Sequence, residues 1–133
     1  MVNMTEDDYR ALAGFRYALR EFVRYSESAA EAAGVTPRQH QALLAIRAGP
    51  GGTLHVGELA GRLFLRPHSA SELVQRMVEQ GLVRRETGES DKRQVILRLS
   101  QRGETVLAHL SQSHRAELRR LRPLLQELLA ELG

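Results

Sequence analysis

The sequence contains no cysteine. That excludes disulfides, thiolate metal sites, cysteine nucleophiles and thiol-based redox sensing together. Tryptophan is also absent and aromatic residues make up only 5% of the chain, so the core has to be built mainly from Leu, Val and Ala. No stretch approaches the roughly 20 apolar residues that cross a bilayer. The segment from Met1 to Arg10 is polar and acidic, without the basic start and apolar run of a secretory signal. These absences predict a cytoplasmic protein with no membrane partner. Catalytic signatures are missing too. There is no nucleophile beside a base, no His-Glu-x-x-His helix and no dinucleotide fingerprint. Gly49-Pro50-Gly51-Gly52 is not followed by the Gly-Lys-Ser/Thr of a phosphate loop. His109 and His114 stand five apart, which does not place them on one helix face. No enzyme, no cofactor and no metal site is expected.

What is present is a chain of 133 residues with a hydrophobic fraction of 42%, enough for one domain or one interlocked subunit with a packed core. Its net charge of +3 is unevenly placed. Residues 1–53 hold six basic and six acidic side chains, and residues 104–133 hold four of each. Residues 54–103 hold nine basic against six acidic ones, so the whole excess lies in the middle third. A basic module between neutral flanks points to a polyanionic partner.

The hydrophobic period divides the chain further. Residues 5–33 read as a long helix with a narrow seam at Leu12, Phe15, Leu19, Phe22, Ser26, Ala29 and Ala33, ended by Gly34. Thr36-Pro37-Arg38-Gln39 is a helix start with a capping box, and its helix carries Leu43, Leu44 and Ile46 inward. Two short helices follow. The first, 56–64, buries Val56, Leu59, Ala60 and Leu63; the second, 67–80, buries Ala70, Leu73, Val74, Met77 and Val78. Only Leu65-Arg66 lies between them, which forces a sharp turn and makes a helix-turn-helix. After Gly81 the period becomes alternating, and residues 82–87 and 94–99 read as two strands joined by a polar turn. A helix-turn-helix followed by a hairpin is a winged helix. From Ser100, a plain N-cap, the chain reads as helix with a seam at Leu107, Leu110, His114, Leu118, Leu121, Leu125, Leu128 and Leu132. Pro123 is expected to break it in two. The fold class is therefore mainly α with a small β-hairpin wing. Its Leu-rich end helices cannot bury themselves on so small a middle module, which predicts a homodimer.

With Ala70, Leu73, Val74 and Met77 inward, the second short helix turns out His68, Ser71, Glu72, Gln75 and Arg76, with Ser69 beside them. Short polar groups at the helix start and longer ones behind suit entry into a major groove by the N-terminus. Gln75 and Arg76 can reach base edges, while the serines and the first-turn N–H groups can hold phosphate. Arg66, in the turn, adds a positive charge. Lys92 and Arg93 stand at the hairpin tip, where an arginine can enter a narrow minor groove. Asp91 would repel phosphate there, so it is expected to pair with Arg93 or Arg85 and fix the wing's shape.

The chain carries, in order, Leu59-Ala60, Ser69-Ala70-Ser71-Glu72-Leu73-Val74, Gly81-Leu82-Val83-Arg84-Arg85, Asp91-Lys92-Arg93 and Leu99-Ser100-Gln101-Arg102-Gly103. In order and spacing this set resembles the MarR family of bacterial regulators. The Asp-x-Arg wing followed by Leu-Ser/Thr-x-x-Gly is the specific part. His68, in a first-turn place often held by a small polar residue, and Ser100 in place of Thr are departures. The resemblance implies a triangular dimer bound to a pseudo-palindromic operator, with residues 5–33 and 101–132 as dimerisation helices and 36–100 as the winged helix. It makes Arg93 the minor-groove arginine, Asp91 its orienting acid, and Ser69, Ser71 and Gln75 recognition-helix residues. It further implies repression relieved by a small aromatic or lipophilic effector. Phe15, Arg16, Tyr17, Tyr25, His40 and Leu44 could line the effector space, although for any one of them the favoured reading is a core or surface residue of the first two helices. The alternative function is a winged helix that binds proteins only. The placement of the basic excess and the arginine-tipped wing argue against it.

Overall fold

A computed structural model describes residues 2–88 and 94–132. Among these residues the elements run α1 (Glu6–Ala32), α2 (Pro37–Arg47), β1 (Thr53–His55), α3 (Val56–Arg62), α4 (Pro67–Glu79), β2 (Val83–Thr87), β3 (Val95–Leu99) and α5 (Gln101–Glu131). The predicted winged helix is present with one strand more than expected: β1 pairs antiparallel with β3, giving the sheet order β1-β3-β2. The chain forms two compact units, Ala30–Leu110 and Met1–Ala29 with Ser111–Gly133.

In the first unit, local chemistry fixes each helix end. Thr36 and Gln39 form the anticipated capping box, each side chain bonding the other's backbone N–H at 3.1 Å. Gln39 is buried, and its Nε2 donates to Gln80 Oε1 at 2.8 Å, tying the start of α2 to the end of α4. Ala42, Leu43 and Ile46 face inward. Leu44, expected inward with them, is 50% exposed because a helix turns about 100° per residue and Leu44 falls off the 39–43–46 stripe. Helices α1, α3 and α4 end in the same way. The backbone N–H after the cap bonds back three residues and the next bonds back five: Gly34 to Glu31 and Val35 to Ala30, Phe64 to Gly61 and Leu65 to Ala60, Gly81 to Val78 and Leu82 to Met77. This is the Schellman ending, whose turning residue takes a left-handed backbone. Gly34 has φ 80° and Gly81 φ 70°; the third position is Phe64, at φ 54°. A side chain in that region costs about 1–2 kcal/mol.

Helix α3 ends at Arg62, two residues short of the expected Phe64, and the left-handed turn at Phe64 is what stops it. Leu59 and Ala60 are buried, whereas Val56, Leu63 and Val78 are only half-buried. Val83 opposite Leu99, and Leu54 opposite Leu97, form the sheet's inner face and close the core with Leu59, Ala70, Val74 and Met77. Fully burying each such large side chain contributes about 1.5–3 kcal/mol. Ser100 caps α5 as expected, its Oγ accepting from Gly103 N–H at 3.0 Å and donating to the Gly81 carbonyl.

In the second unit, α1 buries a stripe of small residues, Ala11 and Ala18 with Gly14 between them, in place of the expected Leu12 and Leu19, which are exposed. A Cβ on Gly14 would stand 2.9 Å from Leu128 Cδ2, so α1 and α5 meet closely at this point. His114 is buried, bonded to Ser26 Oγ at 2.8 Å and approached edgewise by Phe22 and Tyr25. Helix α5 runs unbroken through Pro123, contrary to the expected break. Proline's fixed φ is helical, and the carbonyl left without its donor belongs to Arg119, an exposed residue that water can reach. On the same surface Arg120 bonds Glu117 at 2.6 Å and, by hydrogen bond and charge, holds the Glu117 carboxyl below the usual carboxylate range.

Candidate nucleic-acid interface

Helix α4 begins with Pro67, whose fixed φ suits the first helical position, after Arg66 in extended conformation. Arg66 makes no side-chain cap, and its carbonyl accepts from Ala70 N–H at 3.0 Å. The N–H groups of His68 and Ser69 therefore have no acceptor within the helix. Burial of Ala70, Leu73, Val74 and Met77 turns Ser71, Glu72, Gln75 and Arg76 outward with His68, while Ser69 is half-buried. The predicted row of polar side chains thus lies along one exposed face.

These side chains bond to one another and to the sheet. His68 Nε2 lies 3.0 Å from Glu72 Oε1, one turn along. Gln75 Nε2 donates to Glu79 Oε1 at 2.9 Å, and Gln75 Oε1 accepts from Arg85 Nη2 at 2.9 Å. Arg85, assigned from the sequence to the wing, so reaches across from β2 and holds a recognition-helix side chain. Such a chain of bonds sets the direction in which Gln75 presents its amide.

Two concavities flank α4. One, of about 460 Å³, is lined by His55, Val56 and Gly57 at the start of α3, Ser71 and Val74 of α4, and Arg85, Gln94 and Val95 of the sheet. The other, of about 560 Å³, lies between the start of α2 and α4, with Arg38 and Gln41 facing Ser69, Glu72 and Arg76. Arg38 was missed in the sequence reading because nothing local separates it from a solvated first-turn arginine. The opposite face of the sheet has different chemistry. Arg84 lies directly across from Arg98, an unfavourable like-charge pair offset by Glu86, whose carboxylate is 3.2 Å from Arg98 Nε. Arg47 pairs with Glu104 at 3.2 Å, and Arg98 Nη1 donates to the Gly51 carbonyl. Arg102 donates to the Gln80 carbonyl at 3.0 Å. Part of the basic excess in the middle third is therefore internal to the fold, and among the described residues Arg62, Arg66, Arg76 and Arg85 are what it leaves around the α3–α4 turn and α4. Asp91, Lys92 and Arg93 lie outside the described residues.

The segment carrying this geometry, residues 33–94, matches the model of the MarR family. Over that segment the chain is similar to the MarR family. Solved structures agree in fold. AbsC, a MarR family transcriptional regulator from Streptomyces coelicolor, is 21% identical, with a TM-score of 0.72 over 98% of this chain and 99% of that one. RV1404 from Mycobacterium tuberculosis is 20% identical, with a TM-score of 0.77 over 99% and 92%. NadR, solved in complex with 4-hydroxyphenylacetate, is 24% identical, with a TM-score of 0.71 over 90% and 89%. No curated protein matches the chain.

The remaining candidate residues are spread over both units. Phe15 is half-buried, and Arg16 and Tyr17 are exposed on α1. The Tyr25 hydroxyl bonds the Ser113 hydroxyl and carbonyl. His40 is buried on α2 and Leu44 exposed. Among the described residues no group of three or more His, Asp or Glu could hold a metal ion, and no helix is long and apolar enough to cross a membrane.

Proposed function

We propose that this protein is a homodimeric, sequence-specific binder of double-stranded DNA that regulates transcription, acting as a cytoplasmic repressor released by a small effector and having no enzymatic activity. The observation that carries the reading is the outward row on α4, with unmade N–H donors at its start, inside a winged helix similar to that of the MarR family. In this reading the N-terminus of α4 enters the major groove. Ser69, Ser71 and the first-turn N–H groups take phosphate, with Arg66 adding charge, and Gln75 and Arg76 reach base edges. His68 and Glu72, paired in the free protein, exchange that bond for contacts with the duplex. Arg93, oriented by Asp91 and accompanied by Lys92, enters the minor groove. Residues 5–33 and 101–132 join the two subunits, and 36–100 form the DNA-binding module. The exposed Leu12, Leu19, Val23, Leu118 and Leu129 supply apolar surface for that contact. The likeness to NadR favours an aromatic carboxylate as effector, held among Phe15, Arg16, Tyr17, Tyr25, His40 and Leu44.

Fluorescence anisotropy on the DNA upstream of the protein's own gene, with random duplex as control, tests the reading. Site-selective binding by two subunits is expected, weakening by about a thousandfold or more between 50 and 200 mM salt. R93A should weaken binding to most sites, whereas Q75A should change the preference among sequences. Equal losses for Q75A on specific and random duplex would remove it from base readout. An absence of binding at low salt would leave a protein-binding winged helix as the function.

A further inference from the structure

Of the six aromatic residues, five lie at or before Tyr25 and the sixth is Phe64. Phe64 combines two unfavourable conditions. Its side chain is 97% exposed, and among the described residues it is the one non-glycine with a positive φ. The other two Schellman endings of this fold, at Gly34 and Gly81, meet the same backbone demand with glycine, for which it is free of strain. Nothing in the packing calls for the ring, because so exposed a side chain covers almost no core. Strain held at an exposed position marks a site of function more often than one of folding.

The place in the fold says what the ring meets. Phe64 precedes Pro67, the first residue of α4, by three positions, so its Cα lies within about 10 Å of the helix start. Arg62 and Arg66 flank it in sequence, and both are exposed. A helix entering the major groove by its N-terminus brings the preceding turn to the rim of a groove about 12 Å wide. The apolar group displayed there is the C5 methyl of thymine. We infer that Phe64 is a specificity-determining residue that packs its ring against a thymine methyl at the edge of each half-site. The inference rests on the DNA-binding reading above and adds a base preference to it.

Duplexes selected from a random pool by the wild-type protein, then remade with single thymine-to-deoxyuridine exchanges that remove only the methyl, provide the test. Wild type should lose about five- to tenfold in affinity at one thymine of each half-site. F64G should already bind the parent duplex that much more weakly and be indifferent to the same exchange. Because glycine relieves the left-handed backbone, F64G should also melt roughly 2–6 °C higher than wild type. A lower melting temperature for F64G would make the ring structural and overturn the inference. So would an equal response of both proteins to every deoxyuridine. Failure of the wild type to select any sequence would instead remove the DNA-binding reading on which the inference stands.

Discussion

Gly103 explains at atomic scale why a Leu-Ser-x-x-Gly run joins the wing to α5. A Cβ there would stand 2.1 Å from the Leu82 carbonyl oxygen and 3.1 Å from its carbon, both backbone atoms that cannot step aside. Ser100 holds the approach closed by donating to the Gly81 carbonyl while its own N–H bonds that of Leu82. G103A should therefore destabilise the fold by about 3 kcal/mol or more, as overpacking against fixed atoms does. Gly61, inside α3 with open space around it, is the counter-case. G61A should stabilise by about 0.5–1 kcal/mol. Thermal melts of the two variants check both signs, and a tolerated G103A would show that the β3–α5 junction can shift. The motif was visible in the sequence as a resemblance. Its cause was not, because it depends on a carbonyl 21 positions away in the chain.

Elements with a long hydrophobic period were legible from sequence, and those without one were not. Helices α1, α2, α4 and α5 and the strands β2 and β3 lie where the apolar spacing places them. β1 has one buried residue, Leu54, between two half-buried ones, and three residues carry no readable alternation. Leu44 and the α1 stripe failed for a related reason. Leucine draws the eye to one face, while alanine and glycine allow the closer approach that the fold uses. Of the candidate interface, the outward face of α4 was legible because four buried positions fix it. The bond from Arg85 to Gln75 was not, since it joins two elements whose distance no local pattern records. Pro123 shows a rule applied too strongly: one missing hydrogen bond at an exposed turn does not end a 31-residue helix. P123A should restore that bond and gain up to about 3 kcal/mol. A raised melting temperature and a protected amide at residue 123 of the variant would register it. A lower melting temperature would mean that a bend at Pro123 is required.

For the molecule as a whole, the end helices leave Leu12, Leu19, Val23, Leu118, Leu124 and Leu129 exposed in one copy. If a second copy covers them, stability becomes concentration-dependent, because association draws the folded state by mass action. L118R should then sediment as a folded monomer and bind operator at least tenfold more weakly, having lost one of two half-sites. An unchanged sedimentation coefficient would move the subunit contact off this surface.

The division of the chain also has a temporal side. Ala30–Leu110 is one uninterrupted stretch, whereas the other compact unit joins residues 1–29 to residues 111–133. During synthesis, at about 5–20 residues per second, every contact of the interrupted unit between its two segments waits until some 80 intervening residues have left the ribosome. The winged helix can assemble meanwhile, since the compact unit that contains it is complete at Leu110. α1, whose stripe of Ala11, Gly14 and Ala18 meets α5 at Leu128, is therefore left waiting for its partner segment after the winged helix is complete.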